Sequence, residues 1–205
     1  MIIVNEGCSI GHYWAVEDRT EYRNEFIEGQ ILSRIGTSLR HGKLVQNLAT
    51  GLRNREAGGD WSVLMGLRMK VESTGAYVWP DVAAYEEPGR FEARRPGDDE
   101  SLLDPVLIIE VFSPQTEGLD RGTKWTHYQT IPSLREYVLV SQNRVSVEQF
   151  VRREGGWAYS STSDLNASLR FGSIGCAVPL REIYGEVKLP RERAAMLIPP
   201  VDLMR

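Results

Sequence analysis

Two carboxylates in apolar surroundings are the residues of this sequence most suited to chemistry, and the first is Glu110. It interrupts the run Val106–Phe112, whose other members are all apolar. If that run is a buried strand, an unpaired charge within it is very costly, so the carboxylate has to be paired, protonated or bound to a metal. The alternatives are a buried salt bridge and a strand end that emerges into solvent.

The second carboxylate, Asp81, follows Pro80 inside the apolar stretch Val78–Ala83. Proline cannot donate to a strand ladder, so we expect a strand start, a bulge or an edge at this point. Two acids on neighbouring apolar strands can meet, and they repel each other unless a cation joins them. One or two carboxylates together with several waters suit Mg²⁺. The other interpretation of Asp81 is a turn cap.

Three polar side chains share one face of a predicted helix. Asp120, Lys124 and Tyr128 are spaced four residues apart, which places them on the same side. If this face looks toward the Glu110 strand, Lys124 reaches a water or a phosphate oxygen near the metal. A surface lysine that bridges to Asp120 is the alternative.

Two further candidates lie earlier in the chain. Glu25 points the same way as Ile27 in a predicted strand, which indicates an inward carboxylate, and a surface charge on a hairpin is the alternative. His41 lies at the rim of the apolar stripe of a predicted helix, where a helix-end histidine without a ligand role is the alternative. The sequence has no Walker loop and no GxGxxG, GxSxG or HExxH motif, so it supports none of the corresponding chemistries.

Periodicity and turn residues predict the elements that position these side chains. Helices are predicted over residues 10–22, 38–57 (ended by Gly58-Gly59) and 118–131. A hairpin is predicted over 23–35 with its turn at Glu28-Gly29, and a polar loop over 86–101. Further strands are predicted over 61–65, 67–72, 77–85, 105–112, 134–140, 145–152 and 157–161. This order indicates an α/β (α+β) fold, with one sheet flanked by helices.

Composition is typical of one ordinary globular domain. The chain has 205 residues, of which 41% are hydrophobic and 25% are charged. We expect the domain to cover residues 1–190, with 191–205 as a tail or an interface arm. The chain has only two cysteines, no signal-peptide pattern and no apolar run of roughly 18 to 20 residues. These features favour a cytoplasmic protein without membrane contact.

The charge of the chain counts against an obvious nucleic-acid binder. The formal net charge is −4 and the isoelectric point is about 5.5, whereas phosphate contacts usually leave a basic footprint. A local basic patch could still form from Arg90, Arg94 and Arg95, or from Arg152 and Arg153. A solvated surface is the other interpretation of these arginines.

Three segments, in this order, carry a family resemblance. They are HYWAVEDRTEYRNEFIEGQI, YVWPDVAAYE and LIIEVFSPQTEGLDRGTKWTHYQTIPSLREYVLV, within roughly residues 12–187. Together they resemble the Uma2 (DUF820) family of the PD-(D/E)XK nuclease superfamily. The resemblance implies a restriction-endonuclease-like mixed β-sheet flanked by helices, with acidic residues at one end.

The resemblance also implies a site. Asp81 and Glu110 would hold a divalent metal, Mg²⁺ or Mn²⁺, with Lys124 as the lysine of the fold and Glu25 as an additional acid. Tyr128, Asp120 and His41 are secondary candidates. A standard D/E-x-K motif would place lysine at position 112, where this chain has Phe112. The family leads us to expect a lysine on the following helix instead.

The sequence therefore predicts a Mg²⁺-dependent endonuclease that acts on DNA as a homodimer or higher homo-oligomer. A non-catalytic binding or assembly module with the nuclease fold is one alternative, and Phe112 and the acidic isoelectric point favour it. A metal-dependent hydrolase of RNA or nucleotides is the other.

Overall fold

The computed structural model of the chain describes residues 2–5, 7–34, 38–56 and 60–190. Within these ranges the helices are α1 (Ile10–Glu17), α2 (Leu39–Arg53), α3 (Trp125–Tyr128) and α4 (Leu180–Ile183). A π-helical turn, Leu119–Lys124, leads directly into α3. The predicted helix stop at Gly58-Gly59 and the predicted tail 191–205 lie outside the described residues.

Strands of the described residues form two large sheets and one small one. The strands are β1 (Ile2–Asn5), β2 (Arg23–Ile27), β3 (Gln30–Arg34), β4 (Trp61–Met65), β5 (Met69–Val71), β6 (Ala76–Val78), β7 (Val82–Glu86), β8 (Phe91–Ala93), β9 (Glu100–Leu102), β10 (Pro105–Phe112), β11 (Glu136–Ser141), β12 (Val147–Arg153), β13 (Gly156–Thr162), β14 (Ser168–Phe171) and β15 (Cys176–Pro179). The sheet orders are β1-β3-β2-β6-β5-β9-β8, β13-β12-β11-β10-β7-β4 and β14-β15.

Both large sheets are mixed, because β5 pairs in parallel with β9 and β10 pairs in parallel with β11. The predicted fold class, a mixed β-sheet architecture flanked by helices, is confirmed. The strands divide between two large sheets where the sequence predicted one. None of the helices in the described part of the chain combines the length and hydropathy that a membrane span requires.

The division between the sheets falls inside the predicted strand 77–85. This segment is two strands, β6 in the seven-stranded sheet and β7 in the six-stranded sheet, separated by Trp79-Pro80-Asp81. Pro80 has no N–H group with which to continue a ladder, so the chain changes sheets there. The break leaves Asp81 at the junction of the two sheets.

Local sequence explains the remaining differences. The predicted loop 86–101 holds β8 and part of β9, two three-residue strands too short to show a hydrophobic alternation. Helix α2 begins after Ser38, whose hydroxyl accepts a hydrogen bond from His41 N at 3.1 Å, as an N-cap does. Helix α1 ends at Glu17, earlier than predicted.

Strand β10 is buried on both faces and divides its side chains between two hydrophobic clusters. Leu107, Ile109 and Val111 face α2, whereas Ile108 and Phe112 face the cluster that includes Tyr128. Side chains alternate along a strand, so Glu110 lies on the same face as Ile108 and Phe112. The fold thereby directs this carboxylate toward the π-helical turn and α3.

Candidate active site

Asp81 and Glu110 meet where the ladder between β7 and β10 ends. The last paired residues are Val82 and Ile109. Beyond them Val111 N donates to Asp81 Oδ2 at 2.8 Å, so the carboxylate replaces a backbone acceptor. Asp81 N lies 3.4 Å from Glu110 Oε2. The two predicted acids are therefore adjacent.

Lys124 is fully buried inside this cluster, so the surface-lysine interpretation is wrong. Its Nζ lies 2.8 Å from Glu25 Oε1, 3.0 Å from Glu110 Oε1 and 3.7 Å from Asp120 Oδ1. All four side chains are at most 1% exposed. A buried ammonium group needs such partners, because desolvation otherwise outweighs its interactions. The π-helical turn, a form frequent at functional sites, carries both Asp120 and Lys124.

Glu25 belongs to the cluster as its strand alternation predicted. On β2 both Glu25 and Ile27 are buried, and Glu28, which directly follows the strand, has a side chain that is 68% exposed. Trp79 N donates to Glu25 Oε1 at 3.1 Å, which ties β2 to the segment that carries Asp81. The surface-charge interpretation of Glu25 is therefore wrong.

Tyr128 fixes the orientation of Glu110. Its hydroxyl donates to Glu110 Oε1 at 2.8 Å, the same oxygen that Lys124 approaches. Burial, and then the charge of Glu110, raise the pKa of Tyr128 well above its ordinary value. Tyr128 thus stays a neutral donor, and Glu110 Oε2 is directed toward Asp81.

His41 and Asp81 form the solvent side of the site. His41 Nε2 lies 3.1 Å from Asp81 Oδ2, and the His41 side chain is 16% exposed. Both residues line a surface cavity of about 610 Å³. The cluster is therefore open to solvent at Asp81, with Glu110 and Lys124 buried behind it.

Sequence reasoning did not single out Tyr22 and Arg23, which line the same cavity. Tyr22 lies between α1 and β2 and Arg23 is the first residue of β2, where a strand period has only begun. No sequence signal that we considered marks them.

The predicted basic patches are largely neutralised. Arg90 pairs with Glu72 at 3.1 Å, and Arg94 pairs with Asp18 at 2.6 Å. Arg152 donates to backbone carbonyls, among them that of Leu134 at 2.7 Å. These arginines pair with acids or with backbone carbonyls, a role that the sequence did not predict for them.

The donor set fits Mg²⁺. Among the described residues, no group of three or more His, Cys, Asp and Glu side chains is arranged to hold a metal ion, and the predicted pair of Asp81 and Glu110 offers two carboxylates. Mg²⁺ characteristically takes one or two carboxylates and keeps several waters. The cavity is lined by Asp81, whereas Glu110 is fully buried behind it, so water reaches the pair only at Asp81.

The fold defines the class of this protein. It is similar to the crystal structure of a protein from Anabaena variabilis ATCC 29413 that is described as a putative nuclease belonging to DUF820. The TM-score is 0.65 at 16% identity, over 80% of this chain and 91% of the other. The chain has a nuclease-like fold.

Sequence comparisons show the family. Residues 11–174 match the Uma2 model, described as "Putative restriction endonuclease". Two uncharacterized proteins of Synechocystis sp. are similar over most of their length: one is 30% identical over 84% of this chain and 88% of its own, and the other is 28% identical over 78% and 89%. The chain belongs to the Uma2 family, as its sequence motifs predicted.

Proposed function

We propose that this protein is a Mg²⁺-dependent DNA endonuclease that hydrolyses phosphodiester bonds at the site of Asp81, Glu110, Lys124 and Glu25. One observation carries the proposal: these side chains come from separate elements and converge in one cluster beside a solvent cavity. Family membership and the nuclease-like fold support the reaction class.

Asp81 and Glu110 are the residues that would hold the metal, with Mn²⁺ as the second ion to test. When bound, such an ion supplies charge stabilisation for phosphate oxygens and a lower pKa for an attacking water. Asp81 is held for this role by the backbone of β10, and Glu110 by Tyr128 and Lys124.

Lys124 supplies the positive charge that the D/E-x-K motif would place at position 112. Its ammonium group lies 3.0 Å from Glu110, a proposed metal ligand, so it adds positive charge to the site from the buried side. There it offsets negative charge that develops in the transition state. Glu25, 2.8 Å from Nζ, holds the ammonium in place.

Cleavage of supercoiled plasmid, with Mg²⁺ and then Mn²⁺, tests the proposal alongside Glu110→Ala. We expect nicking that requires the metal and that the variant loses. Glu136→Gln is the matched control: Glu136 is a buried glutamate on neighbouring β11 whose partners are Gly172 N and Ser173 Oγ. No nicking by folded wild type, or equal loss in both variants, would contradict the assignment.

A non-catalytic module with the nuclease fold is the second candidate. Complete burial of Glu110 and Lys124 favours it, because neither side chain touches solvent in this conformation. It predicts a melting temperature that Mg²⁺ and Mn²⁺ leave unchanged. A clear increase in wild type that Asp81→Asn lacks would count against it.

Hydrolysis of RNA or nucleotides is the remaining alternative for the same site. The acids and Lys124 would act on any phosphate ester, so the cluster itself does not select the substrate. Digestion of DNA, RNA and nucleotides side by side separates these substrates, and cleavage of RNA or nucleotides without DNA would replace the DNA assignment.

A further inference from the structure

The wall between two surface cavities is built by Tyr22, Arg23 and neighbouring residues. The cavity at Asp81 has about 610 Å³, and a second cavity of about 590 Å³ adjoins it. Glu21, Tyr22, Arg23 and Gly66 line both. A ligand bound in the cavity at Asp81 therefore lies beside these residues.

Arg23 is held in place at this wall by two contacts. Its guanidinium carbon lies 5.3 Å from the centre of the Trp79 ring, within cation–π range. On its other side lies Gly66, where an added Cβ would come within 2.5 Å of the guanidinium. Gly66 also has a φ of +64°, which other residues rarely adopt. The backbone at position 66 thus leaves room for this guanidinium.

The charge of Arg23 is not matched by an ion pair within the described residues, in contrast to its neighbours. In the second cavity Arg68 lies 3.6 Å from Glu17 and Arg94 lies 2.6 Å from Asp18. The acids that line the Asp81 cavity are Glu21 and Asp81 itself. A preorganised guanidinium beside the proposed cleavage site is suited to a phosphate group, which it binds through two donors.

Tyr22 offers an aromatic face at the same place. Its side chain is 57% exposed, and no ring contact of the described residues involves it. Exposed aromatic rings next to a cationic group bind single strands, since any unpaired base can stack on them. In duplex DNA the faces of the bases are covered by their neighbours.

We propose that Tyr22 and Arg23 form a subsite for a single DNA strand, in which Arg23 binds a phosphate and Tyr22 stacks on the adjacent base. The inference rests on the proposed nuclease function and adds the form of the substrate. It implies that unpaired DNA is bound in preference to duplex.

The test is fluorescence anisotropy with labelled oligothymidylate and a duplex of equal length, in EDTA to exclude cleavage and then in Mg²⁺. Arg23→Ala should lower the slope of log affinity against log salt by about 0.7, the value for one phosphate contact on a single strand. Tyr22→Ala should weaken binding roughly 5- to 150-fold, and Tyr22→Phe should keep it. Arg153→Ala, an exposed arginine outside both cavities, is the matched control for charge.

Each result decides the inference separately from the nuclease proposal. Equal losses in Arg23→Ala and Arg153→Ala, tighter binding of duplex, or no binding in either buffer would overturn the subsite. Binding that depends on Arg23 and Tyr22 without any plasmid nicking would keep the subsite and overturn the nuclease. If Arg23→Ala and Tyr22→Ala both leave plasmid nicking unchanged, the nuclease is kept and the subsite is overturned.

Discussion

At the scale of single residues, the charge balance of the buried cluster depends on Lys124. Glu25 and Glu110 both direct an oxygen at its ammonium group, at 2.8 and 3.0 Å. Removing one member of a buried ion cluster leaves the remaining charges uncompensated, which costs more than the pairing itself contributes.

Lys124→Met keeps the length of the side chain and removes its charge. We expect the free energy of unfolding to fall by about 3–5 kcal/mol, because two carboxylates then face each other without a cation. Adding Glu25→Gln should restore part of the loss, since one of the repelling charges disappears. Urea denaturation measures both, and exposed Lys188→Met is the control. A loss below about 1 kcal/mol would show that the lysine is not required for charge balance.

The inward position of some of these residues was predictable from the sequence, whereas their contacts with one another were not. Glu110 and Asp81 stood out because their neighbours are apolar, and the alternation of β2 directed Glu25 inward. That Glu25 would meet Lys124 did not follow from local pattern, because the contact joins β2 to the π-helical turn through the packing of two sheets. The contact of His41 with Asp81 is equally non-local.

At the scale of elements, two irregular segments position the site. The break at Trp79-Pro80-Asp81 carries the chain from one sheet to the other, and the π-helical turn aims Lys124 at Glu110. Proline made the break foreseeable as a strand start or bulge. The change of sheet was not foreseeable, because strand pairing depends on distant partners.

Helix α2 packs closely enough on β15 to require glycine at position 51. A Cβ there would lie 2.8 Å from Val178 Cγ1, whereas a Cβ at Gly42 in the same helix meets nothing within 4 Å. Gly51→Ala should lower the free energy of unfolding by about 1–3 kcal/mol through overpacking. Gly42→Ala should raise it by up to about 1 kcal/mol through helix propensity. Urea denaturation of both variants checks the contrast. If both substitutions stabilise the protein, Val178 must be able to move away from the new methyl group.

Arg121 fastens the π-helical turn to β12. Its guanidinium bonds to Glu117 at 2.8 Å and to Glu148 at 2.6 Å, and it lies 4.9 Å from the Phe112 ring. The hydrogen bond from Arg121 lowers the pKa of Glu148 below its ordinary 4.5. The ionised form of Glu148 is therefore favoured by folding.

Glu148→Gln should cost about 1–2 kcal/mol near neutral pH. Because the folded-state pKa of Glu148 is lowered, its contribution is present above the unfolded pKa and is lost as the pH falls through the folded value. The difference between wild type and variant should thus shrink at acid pH in urea titrations. Exposed Glu154→Gln serves as the control, and a difference independent of pH would refute the role of this pair.

At the scale of the whole molecule, oligomerisation stays a prediction. If the proposed nuclease has one Asp81–Glu110 site in each chain, cutting both strands of a duplex together calls for two copies. Light scattering should give twice the 23.2 kDa of the chain, or a higher multiple of it. A mass of one chain would show a monomer and overturn this prediction.

The two large sheets are expected to unfold together as the single domain predicted over residues 1–190. Strands β7, β10 and β11 contribute to both hydrophobic clusters, and the buried ions tie β2 of one sheet to β10 of the other through Lys124. If one sheet unfolded, the hydrophobic residues that the other sheet packs against it would be exposed to water. A half-folded state is therefore unfavourable. Five tryptophans report tertiary packing by fluorescence, and far-ultraviolet circular dichroism reports the strands. The two urea curves should coincide in wild type, and separate midpoints would mean that the sheets form independent units.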